Sequence, residues 1–433
     1  MRDVLLKGGR VVDPAAGRDE VADVLLRASR VAGIAPEISS DDADVVDCRG
    51  LVVAPGFVDL HTHLREPGRE DAETVETGSR AAALGGYTAV CAMANTDPVA
   101  DNAGIVEQVA AFGRRAGLVD VYPVGAITVG LKGERLAEMG EMATSSARVR
   151  FFSDDGRCVQ NAALMRRAME YARTFDAIIA NHAEEGDLAA GGQMNEGDVS
   201  SILGLPGIPA EAEELIVARD LALARLTGAR LHVPHVSTAG TVALIRAAKA
   251  AGASISAEVT PHHLCLTEDL IRTYDPVYKV APPLRTKADV EALRDALLDG
   301  TIDCVATDHA PHTQDDKERE WDAAPCGMVG LETALGVVCA EAGLDLTRLV
   351  ERMSTAPARI RGLSGHGGPL NEGAPANITV FDPEAAWTID AATMATRSRN
   401  TPFVGRELKG KVHHTIYGGR FTVREGRITN GQG

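Results

Sequence analysis

Residues 54–63 read Ala54-Pro55-Gly56-Phe57-Val58-Asp59-Leu60-His61-Thr62-His63, a short apolar run that follows a turn pair and ends in two spaced histidines. Alternate side chains of a strand share a face, so His61 and His63 point the same way. Two imidazoles on one side of a strand end can hold one divalent cation. An HxH triplet alone says little. Its position at the end of the first strand of a long repeating series gives it weight.

Downstream the chain repeats short apolar strand, loop, then Ala/Leu-rich helix. Eight strand candidates lead into Val58–His61, Tyr87–Met93, Val121–Ile127, Val149–Phe152, Ala177–Asn181, Leu231–Pro234, Ser254–Val259 and Ile302–Thr307. Helical patterns separate them, among them Glu73–Ala83, Ala162–Thr174, Glu211–Thr227 and Thr241–Ala251. Alternating strands and helices predict a parallel sheet, and eight repeats predict a closed (β/α)8 TIM barrel of α/β class. A doubly wound open sheet is the competing architecture. The polar residues decide between them, because they recur where strands end: His61 and His63, Asn95, Asp155, His182, His235, His262-His263 and Asp308. A barrel brings those ends to one mouth, whereas an open sheet strings them along an edge.

Working outward, the first fifty residues alternate apolar runs (Val4-Leu5-Leu6, Val11-Val12, Val24-Leu25-Leu26, Val45-Val46) with turn residues such as Gly8-Gly9 and Asp13-Pro14. These read as short antiparallel strands. The other end does the same over Ile378–Phe381, Val412–Ile416 and Arg420–Val423, with Gly418-Gly419 as a hairpin turn. Neither end can bury a core alone. We expect them to pair into one small β-sandwich domain, 1–54 with 367–433, around a barrel of residues 55–366.

The 433 residues carry 61 acidic and 44 basic side chains, a formal charge of −17. Such a surface repels phosphate backbones and anionic lipid, so neither nucleic acid nor membrane is an expected partner. Seven scattered cysteines without a CxxC pair suit neither a disulfide framework nor a cysteine metal knot, and a reducing cytoplasmic setting is expected. The opening apolar run is too short for a signal peptide.

His182 and His235 end apolar strands, where a lone histidine is usually a hydrogen-bonded core residue. On consecutive strands facing the HxH mouth they are better read as a second metal set. His232 should face away from His235, and we read it as structural. Ser153-Asp154-Asp155-Gly156 offers two carboxylates: one can bridge two cations, and the other caps the turn or orients a ligand. Asp308, in Ala306-Thr307-Asp308-His309-Ala310-Pro311-His312, could instead cap a helix, but Pro311 and the polar segment beyond it argue against an immediate helix. The inventory points to metal-assisted hydrolysis at a carbonyl or similar centre. No GxSxG elbow, Cys–His pair in suitable context or glycine-rich phosphate loop is present, so covalent acyl chemistry and nucleotide cofactors are not indicated.

Several motifs resemble those of dihydroorotases in the amidohydrolase superfamily, specifically the bacterial type with an aspartate bridge. They are Pro55–Gly68, Met93-Ala94-Asn95-Thr96, Ser153–Gly156, Gly204–Pro209, Pro282-Pro283-Leu284-Arg285, Ala306–His312, Gly330-Leu331-Glu332-Thr333 and Asn400-Thr401-Pro402-Phe403, in family order along nearly the whole chain. The resemblance implies reversible hydrolysis of dihydroorotate to N-carbamoyl-aspartate in pyrimidine synthesis. It implies two Zn2+ per subunit, bridged by Asp155 and a hydroxide, with His61, His63 and Asp308 on one and His182 and His235 on the other. Asp308 would be the catalytic proton shuttle. Arg65 would pair with the substrate carboxylate, helped by His63, Asn95 and His312, and backbone groups at Cys326 and Gly327 would hold the ring amide. Many relatives bridge with a carboxylated lysine. Here Arg150-Phe151-Phe152 leads straight into the aspartates.

Two positions depart from the pattern. Ala281 stands where relatives often have a substrate-contacting asparagine, so water or backbone must replace that contact; Ala94 replaces a proline and leaves Asn95 in place. Thr313–Ala324 is expected as a flexible loop at the mouth. Competing substrates are hydantoin, dihydropyrimidine and allantoin, which Arg65 disfavours because the first two lack a carboxylate. A catalytically silent scaffold for aspartate carbamoyltransferase is a further alternative, disfavoured by the intact metal positions. A homodimer is expected, and an active enzyme could also associate with that transferase.

Overall fold

A computed structural model describes residues 2–429; the outermost ends of the two expected β segments, residue 1 and residues 430–433, lie outside the described residues. The strands are β1 (Val4–Asp13), β2 (Arg18–Arg27), β3 (Arg30–Ala35), β4 (Asp44–Asp47), β5 (Val52–Pro55), β6 (Phe57–Thr62), β7 (Tyr87–Ala92), β8 (Asp120–Pro123), β9 (Phe151–Phe152), β10 (Ile178–Ala180), β11 (Met194–Asn195), β12 (Gly207–Ile208), β13 (Arg230–Val233), β14 (Ile255–Val259), β15 (Cys304–Val305), β16 (Ile378–Thr388), β17 (Glu407–Tyr417), β18 (Arg420–Arg424) and β19 (Arg427–Ile428).

All eight barrel strands form, and every pairing between them is parallel. They run as two arcs, β6-β7-β8 and β9-β10-β13-β14-β15. Single parallel bridges close the ring, Gly125 with Phe152 at one seam and Thr62 with His309 at the other. The first seam leaves no room for a side chain at position 125, where a Cβ would stand 2.8 Å from the Phe152 ring and 2.9 Å from Met142 Sδ.

Alternation along the strands explains where the site lies. Ala89, Cys91 and Met93 share one buried cluster with Ile178, Ala180, Cys304 and Ala306. Two-residue steps along those faces lead to Asn95, His182 and Asp308. The outward faces, including Val90, Phe152, Ile179, Leu231, Val233, Val259 and Val305, pack beneath helices such as 103–116, 162–173, 211–227 and 287–299. Asn161 caps helix 162–173 through the Ala163 and Leu164 amides, and Thr286 forms a capping box with Asp289 on helix 287–299. The helix read from Glu73 begins at Val75, because Thr74 caps it by accepting from the Thr77 amide.

The two chain ends build one nine-stranded sheet, β19-β18-β17-β16-β5-β1-β2-β3 with β4 beside β1. The sheet wraps a core containing Leu6, Val11, Val24, Val46, Val53, Ile378, Val380 and Ile416, completing the barrel-plus-sandwich architecture. Two local expectations fail. Gly8-Gly9 does not divide two strands; β1 runs through it with a register shift between Leu6 and Gly9, a bulge that glycine accommodates. Nor is the N-terminal pairing wholly antiparallel, since β4 and β5 both run parallel to β1. Among the described residues no helix is long and apolar enough to cross a membrane.

Candidate metal centre and substrate mouth

His61 and His63 emerge at the end of β6, and each ring is oriented by a bond from Nδ1: His61 to Glu258 Oε1 at 2.9 Å, His63 to Asn95 Oδ1 at 2.8 Å. With the proton on Nδ1, each ring turns its Nε2 lone pair inward. Asp155 Oδ1 lies 3.2 Å from His61 Nε2, 3.5 Å from His235 Nε2 and 3.7 Å from His182 Nδ1, and its Oδ2 lies 3.3 Å from His63 Nε2. One carboxylate therefore faces all four imidazoles. Asp308 Oδ1 sits 3.0 Å from His63 Nε2 and 3.5 Å from His61 Nε2. All six sequence-predicted metal candidates thus converge, and all are buried.

Two groups within this set have ligand atoms mutually close enough for one ion: His61, His63 and Asp308, and His61, Asp155 and His235. His182 stands behind the second group, its Nδ1 3.0 Å from His235 Nε2. The donors fit a cation by a further test. His61 Nε2 and Asp155 Oδ1 are buried, close together, and without a hydrogen-bond partner. A buried imidazole nitrogen facing a carboxylate oxygen is costly unless positive charge, a proton or a metal cation, joins them. Imidazole nitrogens with carboxylate oxygens suit zinc and similar borderline cations.

The electrostatics agree. Burial opposes ionisation of Asp155 and Asp308, yet the His61 charge and imidazole hydrogen bonds hold both well below the ordinary carboxylate range. Burial likewise disfavours a charged His61, and Asp155 and Asp308 overcome it, raising that ring well above its ordinary value. Glu258 is pushed up by burial and pulled down further by His232, to about 2. Three ionised carboxylates in a dry pocket favour added positive charge.

The neighbouring aspartate, Asp154, takes the capping part. Its Oδ1 accepts from the Ile127 and Thr128 amides at 2.8 and 2.9 Å, and the Thr128 hydroxyl donates to Oδ2. His232 is held away from the metal donors, with Nε2 on Glu258 at 2.9 Å and Nδ1 on Ser256 Oγ at 2.8 Å. His263 is bound to Thr260 Oγ1 and the Pro282 carbonyl, whereas the neighbouring His262 is buried with Nε2 unpartnered.

At the rim, Arg65 Nε donates to the Pro311 carbonyl at 3.0 Å, and no carboxylate pairs with Arg65 among the described residues. His312 Nε2 donates to the Cys326 carbonyl at 2.7 Å. Burial and the Arg65 charge lower this ring to about 3, so it is neutral and Nδ1 is its acceptor. Asn95 is shared, since its carbonyl oxygen serves His63. The Cys326-Gly327 backbone is engaged internally: Gly327 N–H donates to the Lys279 carbonyl at 2.9 Å, and its own carbonyl accepts from Lys317 Nζ and Asn400 Nδ2, both at 3.1 Å. Position 327 must be glycine, because φ is +131° and a Cβ would stand 2.7 Å from Ala310 Cβ. Ala281 is half-buried and offers only a methyl group. The polar loop contains a short helix, Gln314–Lys317, and is tied down by Lys317 Nζ on the Pro325 carbonyl at 2.9 Å and by Arg69 on Asp316 at 2.7 Å.

Three supporting residues had no role in the sequence reading. Glu258, 1% exposed, joins His61 to His232. Glu73 accepts from His309 Nε2 at 3.2 Å and from the Arg397 amide at 3.0 Å. Asn400 donates to the Ala310 and Gly327 carbonyls and accepts from the His312 amide. A charged residue inside the strand Ile255-Ser256-Ala257-Glu258-Val259 was a usable signal, because a buried glutamate needs a partner.

Comparison with known proteins places these features in context. Residues 50–241 match the family profile described as Dihydro-orotase-like. The chain is 54% identical to the dihydroorotase of Streptomyces coelicolor, covering 99% of this chain and 100% of that protein. It is 55% identical to that of Leifsonia xyli over 95% of each chain, and 53% identical to that of Mycobacterium tuberculosis over 98% of this chain and 99% of the other. Among solved structures, it resembles an L-hydantoinase (dihydropyrimidinase) from Arthrobacter aurescens, with TM-score 0.87, 27% identity and coverage of 99% and 98%. A dihydropyrimidinase from Brevibacillus agri shares the fold, with TM-score 0.84 at 24% identity and coverage of 99% and 96%.

Proposed function

The chain belongs to the dihydroorotase family, and on that premise we propose that it interconverts dihydroorotate and N-carbamoyl-aspartate in pyrimidine synthesis. We read it as holding two zinc ions. His61, His63 and Asp308 would serve one, His182 and His235 the other, and Asp155 would lie between them. The observation that carries this reading is the Asp155 carboxylate, within 3.2–3.7 Å of four imidazoles in one buried mouth.

Metal in that position supplies an acidified water and polarises the ring carbonyl. The chain's own residues do the rest. Glu258 and Asn95 fix the His61 and His63 rings. Asp308, ionised and at the mouth, takes the proton released on attack at the ring carbonyl and returns it to the departing ring nitrogen. Arg65, with no carboxylate of its own, pairs with the substrate carboxylate through its planar fork, and neutral His312 accepts a hydrogen bond beside it. The Cys326-Gly327 backbone and Asn95 orient the ring, and water or backbone replaces the side-chain contact that Ala281 lacks. We further propose a catalytic barrel of residues 55–366 flanked by one β unit from 1–54 and 367–433, acting as a cytoplasmic homodimer able to associate with aspartate carbamoyltransferase.

Steady-state turnover on dihydroorotate, hydantoin, dihydrouracil and allantoin tests the substrate. Dihydroorotate is expected to be preferred, and that preference is expected to collapse in Arg65→Gln; a wild-type preference for an uncharged ring overturns the reading. Asp308→Ala is expected to abolish turnover while retaining part of the bound metal, and near-normal rates would remove the proton-shuttle role.

A further inference from the structure

The barrel carries a second charged concavity at the end opposite the metal donors. β8 starts at Asp120, β9 starts just after Arg150, and helix 356–361 ends at Arg361. A cavity of about 410 Å3 lies among these starts, lined by Arg114, Arg148, Arg150, Arg361, Tyr122 and Asp120. The metal donors sit at the C-terminal ends of the same parallel strands, so the two sites are separated by the length of the barrel.

Arginines in the last turns of helices favour the helix dipole, and Arg114 and Arg361 both occupy such positions. That accounts for their presence but not for their lack of counter-charge. None of the four forms an ion pair among the described residues, whereas Arg10, Arg49, Arg246 and Arg424 each pair with an aspartate. Arg150 has only the Ala143 and Val149 carbonyls. The one lining carboxylate is already engaged: Asp120 accepts from His366 Nε2 at 2.9 Å and Tyr417 Oη at 2.6 Å. Glu107, near Arg114, is bound to the Ser146 amide and hydroxyl. Arg361 is only 6% exposed and lies over the Tyr122 ring at 5.3 Å, and its Nε has no hydrogen-bond partner. That Nε is sealed from solvent, so what Arg361 offers the cavity is its charge, and a guanidinium this buried with no ion pair is costly unless an opposite charge lies nearby.

We propose that this cavity binds a small molecule bearing more than one phosphate charge. Guanidinium forks match phosphate oxygens two at a time, and convergent arginines suit a polyanion better than a single carboxylate. The volume is in the range that holds a whole organic ligand. In a chain of net charge −17, four arginines without an ion pair around one cavity give it a positive charge that the chain as a whole lacks.

Isothermal titration of the metal-loaded protein with tripolyphosphate and with ATP tests this, with N-carbamoyl-aspartate saturating the catalytic mouth and metal content measured before and after. One saturable site per chain is expected. Binding of both probes identifies the phosphates as the recognised chemistry; binding of ATP alone identifies a nucleotide. Arg114→Gln and Arg148→Gln alter exposed side chains that leave the core intact, and each is expected to weaken binding about tenfold. Arg246→Gln, remote from the cavity, is expected to leave it unchanged. Absence of saturable binding up to about 10 mM, or affinities in both cavity variants within twofold of the parent, overturns the proposal.

Discussion

Replacing Glu258 with glutamine tests whether the metal centre depends on a residue that touches no metal. Glu258 is buried and binds His61 Nδ1 and His232 Nε2, both at 2.9 Å. Glutamine keeps the shape and one acceptor oxygen. His232 can adapt by moving its proton to Nδ1, where Ser256 Oγ at 2.8 Å can accept it. His61 cannot adapt, because its Nδ1 must remain the donor if Nε2 is to be a ligand. The change therefore converts one charge-assisted bond on His61 into a neutral one, a loss of about 1–2 kcal/mol, or about 5- to 30-fold in metal retention. Folding stability should barely fall, since removing a buried charge also removes its desolvation cost. Glu258→Ala differs: it leaves two buried imidazole nitrogens, His61 Nδ1 and His232 Nε2, without a partner and opens a cavity, costing about 3–5 kcal/mol of stability as well. Competition with a chelator, steady-state turnover and urea unfolding separate the two effects. If Glu258→Gln holds metal and turns over within twofold of the parent, His61 owes its orientation to packing alone and the reasoning fails.

Asn400→Ala removes bonds to the Ala310 and Gly327 carbonyls and to the His312 amide without touching a metal donor. It is expected to lower kcat/KM about 10- to 100-fold at unchanged metal content, which kinetics with metal analysis will check. Asp59 is fully buried, and burial raises it to about 7. Its folded value exceeds its unfolded one, so its contribution is complete below the ordinary carboxyl range and lost as pH rises through 7. The parent should therefore lose about 3 kcal/mol relative to Asp59→Asn between pH 5 and pH 8 in urea unfolding, and a constant difference would refute the assignment.

Much of this protein was legible in one dimension because its information is local and periodic. The eight barrel strands could be read from apolar runs, and the helix at Glu211–Thr227 could be read to the residue, since spacing and turn residues act within a few positions. The six metal candidates could be read because alternation carries side chains such as His182 and Asp308 along an inward face to the strand end. The parallel seat of β4 and β5 beside β1 was not legible, because pairing direction depends on where the intervening chain travels. Nor were the roles of Glu258, Asn400 and Glu73. Their partners lie 197 residues away for the Glu258–His61 bond, 73 for Asn400–Gly327 and 236 for Glu73–His309. A hydrogen bond between distant residues leaves no period in a sequence; only closure of the barrel brings the two groups within 3 Å or so and decides which polar residue orients a ligand and which one caps a turn.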